Sequence, residues 1–238
     1  MPLFCAHEIK TIIITSPKCG STSILKSNKY KFESMEFEKE EYILDLFKKY
    51  QVVIVYRENI IKRFLSGFYE DLINNSCYDN VDLTFEEYVC GLYNIYLNKT
   101  HNVSKFYIND KIIPIYWGEC SNKKINITDN EGNFISHIQS QEYAMINFIN
   151  IFDETYNVKL LELNNLSILT GEKKHNCDKY DEIHEIYNIS YVKLKDIKKN
   201  IMINTSNIIN EKIKSMIYIM YNNDDKLIKT LKLKFKYF

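Results

Sequence analysis

Lys18, Gly20 and the consecutive hydroxyls Ser21, Thr22 and Ser23 are the residues of this chain best suited to hold an anion. The lysine brings charge, and the glycine lets the backbone approach a ligand closely. The hydroxyls, together with the unpaired N–H groups of Cys19 and its successors at a helix start, supply hydrogen-bond donors. The same residues also make an ordinary helix cap beside an incidental lysine. A second basic group is Arg57, with Arg63 and Ser66 three residues apart and therefore on one helical face. An arginine at a strand end forks a phosphate, and a serine one turn along a helix donates to another of its oxygens. Two anion sites at one edge of a sheet suit a ligand that carries phosphates at both ends of a nucleoside.

These groups need a sheet and helices to position them. Thr11 to Thr15 is an unbroken β-branched run ended by Ser16-Pro17, and Gln51 to Tyr56 (QVVIVY) is a second apolar run. Such runs belong to parallel strands covered on both faces, whose carboxyl ends are where open α/β sheets bind ligands. Tyr30 to Glu33 reads as a further strand, and Val158 to Leu163 as a late one. Apolar spacing predicts helices over 38–50, 59–73, 141–152 and 207–221. Thr84 and Glu87 form a capping box ahead of another helix, whereas 106–136 reads as a loop or small hairpin. Strand, helix, strand, helix implies a parallel α/β unit, here one domain spanning 1–238.

Composition narrows the function classes. Of 238 residues, 45% are apolar and 26% charged, with 31 basic and 31 acidic side chains, so no overall field draws nucleic acid or an anionic membrane and any anion site is local. No stretch approaches the roughly 18 apolar residues of a membrane span, and no leader is visible, which reads as a cytoplasmic or otherwise soluble protein. The six cysteines form no CxxC pair, so neither a zinc site nor a redox motif is expected. A Walker loop places its lysine after the last glycine, whereas Lys18 precedes Gly20, which disfavours a triphosphate-dependent kinase or ATPase.

Ser-Pro-Lys-Cys-Gly-Ser-Thr-Ser-Ile (16–24) resembles the 5'-phosphosulfate loop of sulfotransferases that use 3'-phosphoadenosine 5'-phosphosulfate (PAPS). Val-Tyr-Arg-Glu-Asn-Ile-Ile-Lys-Arg-Phe-Leu-Ser-Gly-Phe (55–68) resembles their 3'-phosphate motif. The likeness is closest to the carbohydrate sulfotransferase group. It extends to Leu83 to Val89, to Ser136-His137-Ile138-Gln139-Ser140-Gln141, which is similar to that group's His-x-x-Pro-Gln segment, and to Ile217 to Leu227. Ser66 stands one residue further from Arg57 than the family spaces it, and Ser140 stands where the family has proline.

This resemblance implies a P-loop-type three-layer fold with a central, mostly parallel sheet flanked by helices. It implies PAPS as donor, adenosine 3',5'-bisphosphate as product, no metal, and an acceptor hydroxyl or amine, on a saccharide if the likeness extends to substrate. Lys18 through Ser23, with Arg57, Arg63 and Ser66, would hold the donor, Lys18 also stabilising charge on the leaving oxygen. The general base expected by resemblance is Glu33 or Glu36, with His137 as competitor because imidazole titrates near neutrality. Two other readings stay open: a P-loop nucleotide-binding or phosphotransfer protein, and a sulfotransferase-like binding module without turnover.

Overall fold

The structure is a computed structural model describing residues 3–35, 37–73, 82–100, 105–108, 111–114, 128, 131, 138–171, 185–200, 202 and 204–238. The chain clusters into two compact units, where the sequence reads as one domain. The first comprises Met1–Glu58, Ser140–Lys179 and Asn223–Phe238, the second Asn59–Gln139 and Tyr180–Asn222. Each has its own apolar core.

The first unit is built on a six-stranded sheet. Its strands are β1 (Leu3–Ala6), β2 (Thr11–Thr15), β3 (Glu33–Ser34), β4 (Gln51–Tyr56), β7 (Val158–Glu162) and β8 (Lys236–Tyr237), in the order β3-β1-β2-β4-β7-β8. The runs β2, β4 and β7 pair in parallel, with Thr15 level with Val55 and Val55 level with Leu161. β1 is antiparallel to both of its neighbours, and β8 is parallel to β7. The sheet is therefore mostly parallel.

Alternation along the strands sends side chains to two faces, and both are covered. Ile12, Ile14, Val52, Ile54 and Leu160 share a core with Leu46 and Phe47 of helix α2 (Glu40–Lys49), Met145 and Ile149 of α5 (Gln141–Ile149), and Leu227, Ile228 and Leu231 of α9 (Asn222–Lys234). Ile13, Val53, Val55 and Leu161 pack instead with Ile24 of α1 (Ser21–Leu25) and Leu169 of α6 (Ser167–Thr170). Helices on both faces of a central sheet make this unit a three-layer α/β structure.

The second unit holds α3 (Ile60–Ile73), α4 (Phe85–Leu97), α7 (Leu194–Lys199) and α8 (Glu211–Met220), around a core rich in aromatic side chains such as Phe64, Phe68, Phe85 and Tyr88. Edge-on ring pairs at 4.9 Å (Phe68 with Phe85) and 6.4 Å (Phe64 with Phe85) lie within the usual aromatic range. An antiparallel pair, β5 (Lys105–Ile108) with β6 (Lys111–Pro114), overlaps the start of the 106–136 stretch read as a loop or hairpin. Thr84 caps α4 as its sequence announces: its Oγ1 accepts from Glu87 N at 3.2 Å, while Glu87 Oε2 accepts from Thr84 N at 2.8 Å.

Several elements depart from expectation, among them α6, α7, α9 and β8, which the sequence reading lacked. Tyr30 to Glu33 is not a strand; extended pairing begins at Glu33, where the chain reaches β1. Residues 207–210 are outside α8 because Asn210 caps that helix, accepting from Ile213 N at 2.9 Å. β1 is an addition that the sequence reading lacked. Among the described residues, no helix is long and apolar enough to cross a membrane.

Candidate functional site: the β2 and β4 carboxyl edge

β2 ends at Thr15 and α1 begins at Ser21, so residues 16–20 turn the chain from sheet to helix. Cys19 N donates to Ser16 O at 3.2 Å, closing a turn centred on Pro17 and Lys18. Pro17 suits the first central position, and the second takes a positive φ, here +64° at Lys18. A lysine in that region is uncommon, since it lacks the freedom of glycine. Gly20 follows with φ +93°, and a Cβ placed on it would lie 2.4 Å from Leu166 Cδ2 and 2.9 Å from Leu163 Cδ1. Glycine is favoured there by conformation, and a larger residue would also have to displace the ends of those leucine side chains.

The loop is pinned from beneath. Thr15 Oγ1 donates to Cys19 O at 2.8 Å, and Ser16 Oγ donates to Cys19 Sγ at 3.1 Å. Thr15, Ser16 and Cys19 are fully buried, whereas Lys18, Gly20, Ser21 and Ser23 are partly exposed and Thr22 is exposed. The buried members fix the backbone, and the lysine and hydroxyl residues keep exposed surface.

Arg57 immediately follows β4 and is partly exposed. Its backbone is gripped by one side chain: Gln141 Oε1 accepts from Arg57 N at 2.8 Å, and Gln141 Nε2 donates to Arg57 O at 2.9 Å. The same Oε1 accepts from Cys19 Sγ at 3.3 Å. Gln141 is fully buried at the first turn of α5. Ser140 Oγ caps that helix by accepting from Tyr143 N at 3.0 Å, and buried Asp224 accepts from Glu142 N at 2.9 Å.

The topology gives this edge a further property. After β2 the chain passes through α1 to β3, on one side of β2 in the sheet; after β4 it goes on to β7, on the other side. Adjacent parallel strands whose connections leave in opposite directions open a crevice outside their carboxyl ends, the usual ligand position in open α/β sheets. Lys18 and Arg57 stand at those two ends.

The remaining candidate residues are placed as follows. Glu33 is exposed, with Nζ of Lys31 2.7 Å from its carboxylate; that hydrogen bond, and then the lysine charge, hold its pKa below the ordinary glutamate value. Glu33 is level with Cys5, and Cys5 with Ile12, so it falls about 10 Å short of Thr15 along the strand direction. Arg63 and Ser66 belong to the second unit and are both buried, at 1% and 8% exposure. Arg63 Nη1 donates to Gln139 O at 2.6 Å, and the guanidinium lies 5.1 Å from the Tyr221 ring centre. Glu36 and His137 lie outside the described residues.

Two residues of this edge were missed as site candidates. Gln141 is one, and the other is Glu142, half-buried, whose carboxyl is pushed up by burial and then by the charge of Asp224. Their local signals are the likeness of 137–141 to a His-x-x-Pro-Gln segment, which ends on Gln141, and the Ser140 cap that starts their helix. Among the described residues, no group of His, Cys, Asp and Glu side chains is arranged to hold a metal ion. No protein-family model, curated protein or solved structure matches the chain.

Proposed function

We propose that this protein transfers a sulfuryl group from PAPS to a hydroxyl or amine of an acceptor, with saccharides as the acceptor class suggested by the resemblance of 16–24 and 55–68 to carbohydrate sulfotransferases. The observation that carries this reading is the convergence, at a switch point of a three-layer α/β unit, of the Lys18 loop and Arg57 on adjacent parallel strand ends. A phosphosulfate seated on Lys18, Gly20 and the Ser21, Thr22 and Ser23 hydroxyls would leave the 3'-phosphate for the Arg57 guanidinium. The acceptor oxygen or nitrogen attacks sulfur in line, the bond from sulfur to the bridging phosphate oxygen breaks, and adenosine 3',5'-bisphosphate leaves. Lys18 offsets the negative charge that develops on that bridging oxygen, and the acceptor proton passes to a base. Arg63 and Ser66, on α3, are the further donor contacts that the resemblance implies.

Calorimetric titration tests the reading. Adenosine 3',5'-bisphosphate is expected to bind about 10- to 100-fold more tightly than adenosine 5'-phosphate, the worth of one charge-assisted fork, and Arg57→Ala is expected to abolish that preference. No binding of the bisphosphate, or tighter binding of ATP with magnesium, overturns it.

A further inference from the structure

The two halves of this edge are separate stretches of chain, a strand-to-helix loop at 16–20 and the residue after β4 at 57, and parallel pairing of β2 with β4 stops at Thr15 and Val55. Beyond that point, the described polar link from the loop to Arg57 runs through the Gln141 amide. A primary amide offers an acceptor oxygen with two lone pairs and two N–H donors, and three of these four have described partners. The nitrogen serves Arg57 O, while the oxygen takes both Arg57 N–H and the Cys19 thiol. Cys19 is in turn tied to Ser16 Oγ through its sulfur and to Thr15 Oγ1 through its carbonyl. The amide thus continues the sheet by one rung, standing where the backbone of another strand would stand, and couples that rung to the loop carrying Lys18.

Gln141 is itself immobilised. It is fully buried, and the helix that carries it is capped by both Ser140 and Asp224. We infer that Gln141 is a positioning residue that sets the spacing between the Lys18 loop and Arg57, and so selects a ligand bearing two anionic groups at that spacing. This inference rests on the donor reading above. It adds that recognition of the second phosphate depends on a buried amide that does not touch the ligand.

A ligand with one phosphate engages the loop alone and is indifferent to the spacing, whereas one with two phosphates must meet both halves together. Loss of the amide should therefore appear in the ratio of the two affinities. Titrations of wild type, Gln141→Leu, Cys19→Ala, Arg57→Ala and the Gln141→Leu/Arg57→Ala double variant with adenosine 3',5'-bisphosphate and adenosine 5'-phosphate read that ratio, with circular dichroism confirming the fold. In Gln141→Leu the preference for the bisphosphate is expected to fall about tenfold while monophosphate affinity changes less than about twofold, and the double variant should be no less selective than Arg57→Ala. An unchanged ratio in folded Gln141→Leu, or additive losses in the double variant, overturns the inference and leaves the donor reading standing. If Gln141→Leu does not fold, Cys19→Ala, which removes the loop's sulfur contacts to Gln141 and Ser16 and leaves the Gln141–Arg57 bonds, must lower the ratio, and failure to do so overturns the inference. A wild type that does not distinguish the two ligands overturns both.

Discussion

Glu142 stands one residue beyond the Gln141 amide, and its environment opposes its charge. Burial, and then the neighbouring Asp224 carboxylate, raise its pKa in the folded protein above the ordinary value near 4.5. The folded state therefore holds that proton more tightly than the unfolded chain, so stability declines as pH rises from about 4.5 through the folded pKa. Glu142→Gln removes the decline: the variant is expected to melt above wild type at pH 7 and together with it at pH 4, measured by thermal denaturation across that range. Equal melting at both pH values would discount the repulsion from Asp224. At this scale the legible residues were those with local signatures. Lys18 and Gly20 stand out because a β-branched run stops at a proline and a lone glycine precedes three hydroxyls. Gln141 falls at the Gln position of the His-x-x-Pro-Gln likeness, but its role could not be read there because its partners Arg57 and Cys19 are 84 and 122 positions away in the chain. Glu33 illustrates the converse: the sequence shows an acidic side chain near a strand, while only the strand register reveals its level on the sheet.

The helices α2, α3, α4, α5 and α8 were readable as elements because each carries an apolar stripe and, in several cases, a capping residue, whereas the short α6 and α7 were not. α4 is the clearest, with Thr84 and Glu87 satisfying each other's backbone N–H groups. Replacing Thr84 by alanine is expected to cost about 1 kcal/mol, read as a lower urea midpoint with an unchanged slope. No shift in midpoint would mean that the box is redundant with the other contacts of that helix. β1 was not readable. Leu3-Phe4-Cys5-Ala6 is too short for its alternation to be distinctive, and it is a strand because β2 and β3 supply partners on both sides. β3 was misplaced for a related reason: with two residues and one partner, its extent is set by where β1 accepts it rather than by its own composition.

For the molecule as a whole, the parallel α/β character followed from the two apolar runs, but the division into two units did not. No Pro-, Gly- or Ser-rich linker marks it, since the second unit is inserted directly after Glu58 and again after Lys179. The separate cores predict separable responses. Leu92→Ala is expected to cost about 2–5 kcal/mol and to raise amide exchange in α3, α4 and α8 more than in β2, β4 and β7, as read by hydrogen–deuterium exchange. Uniform acceleration throughout the chain would show the two cores to be a single cooperative unit. The same insertion bears on synthesis. β4 leaves the ribosome about a hundred residues before its sheet partner β7, a delay of roughly 5–20 s at ordinary elongation rates. Throughout that interval Val52 to Tyr56 present an unpaired apolar edge, so the nascent chain is at its most aggregation-prone while the inserted unit is being made, and a chaperone acting then protects it more than one acting on the finished protein.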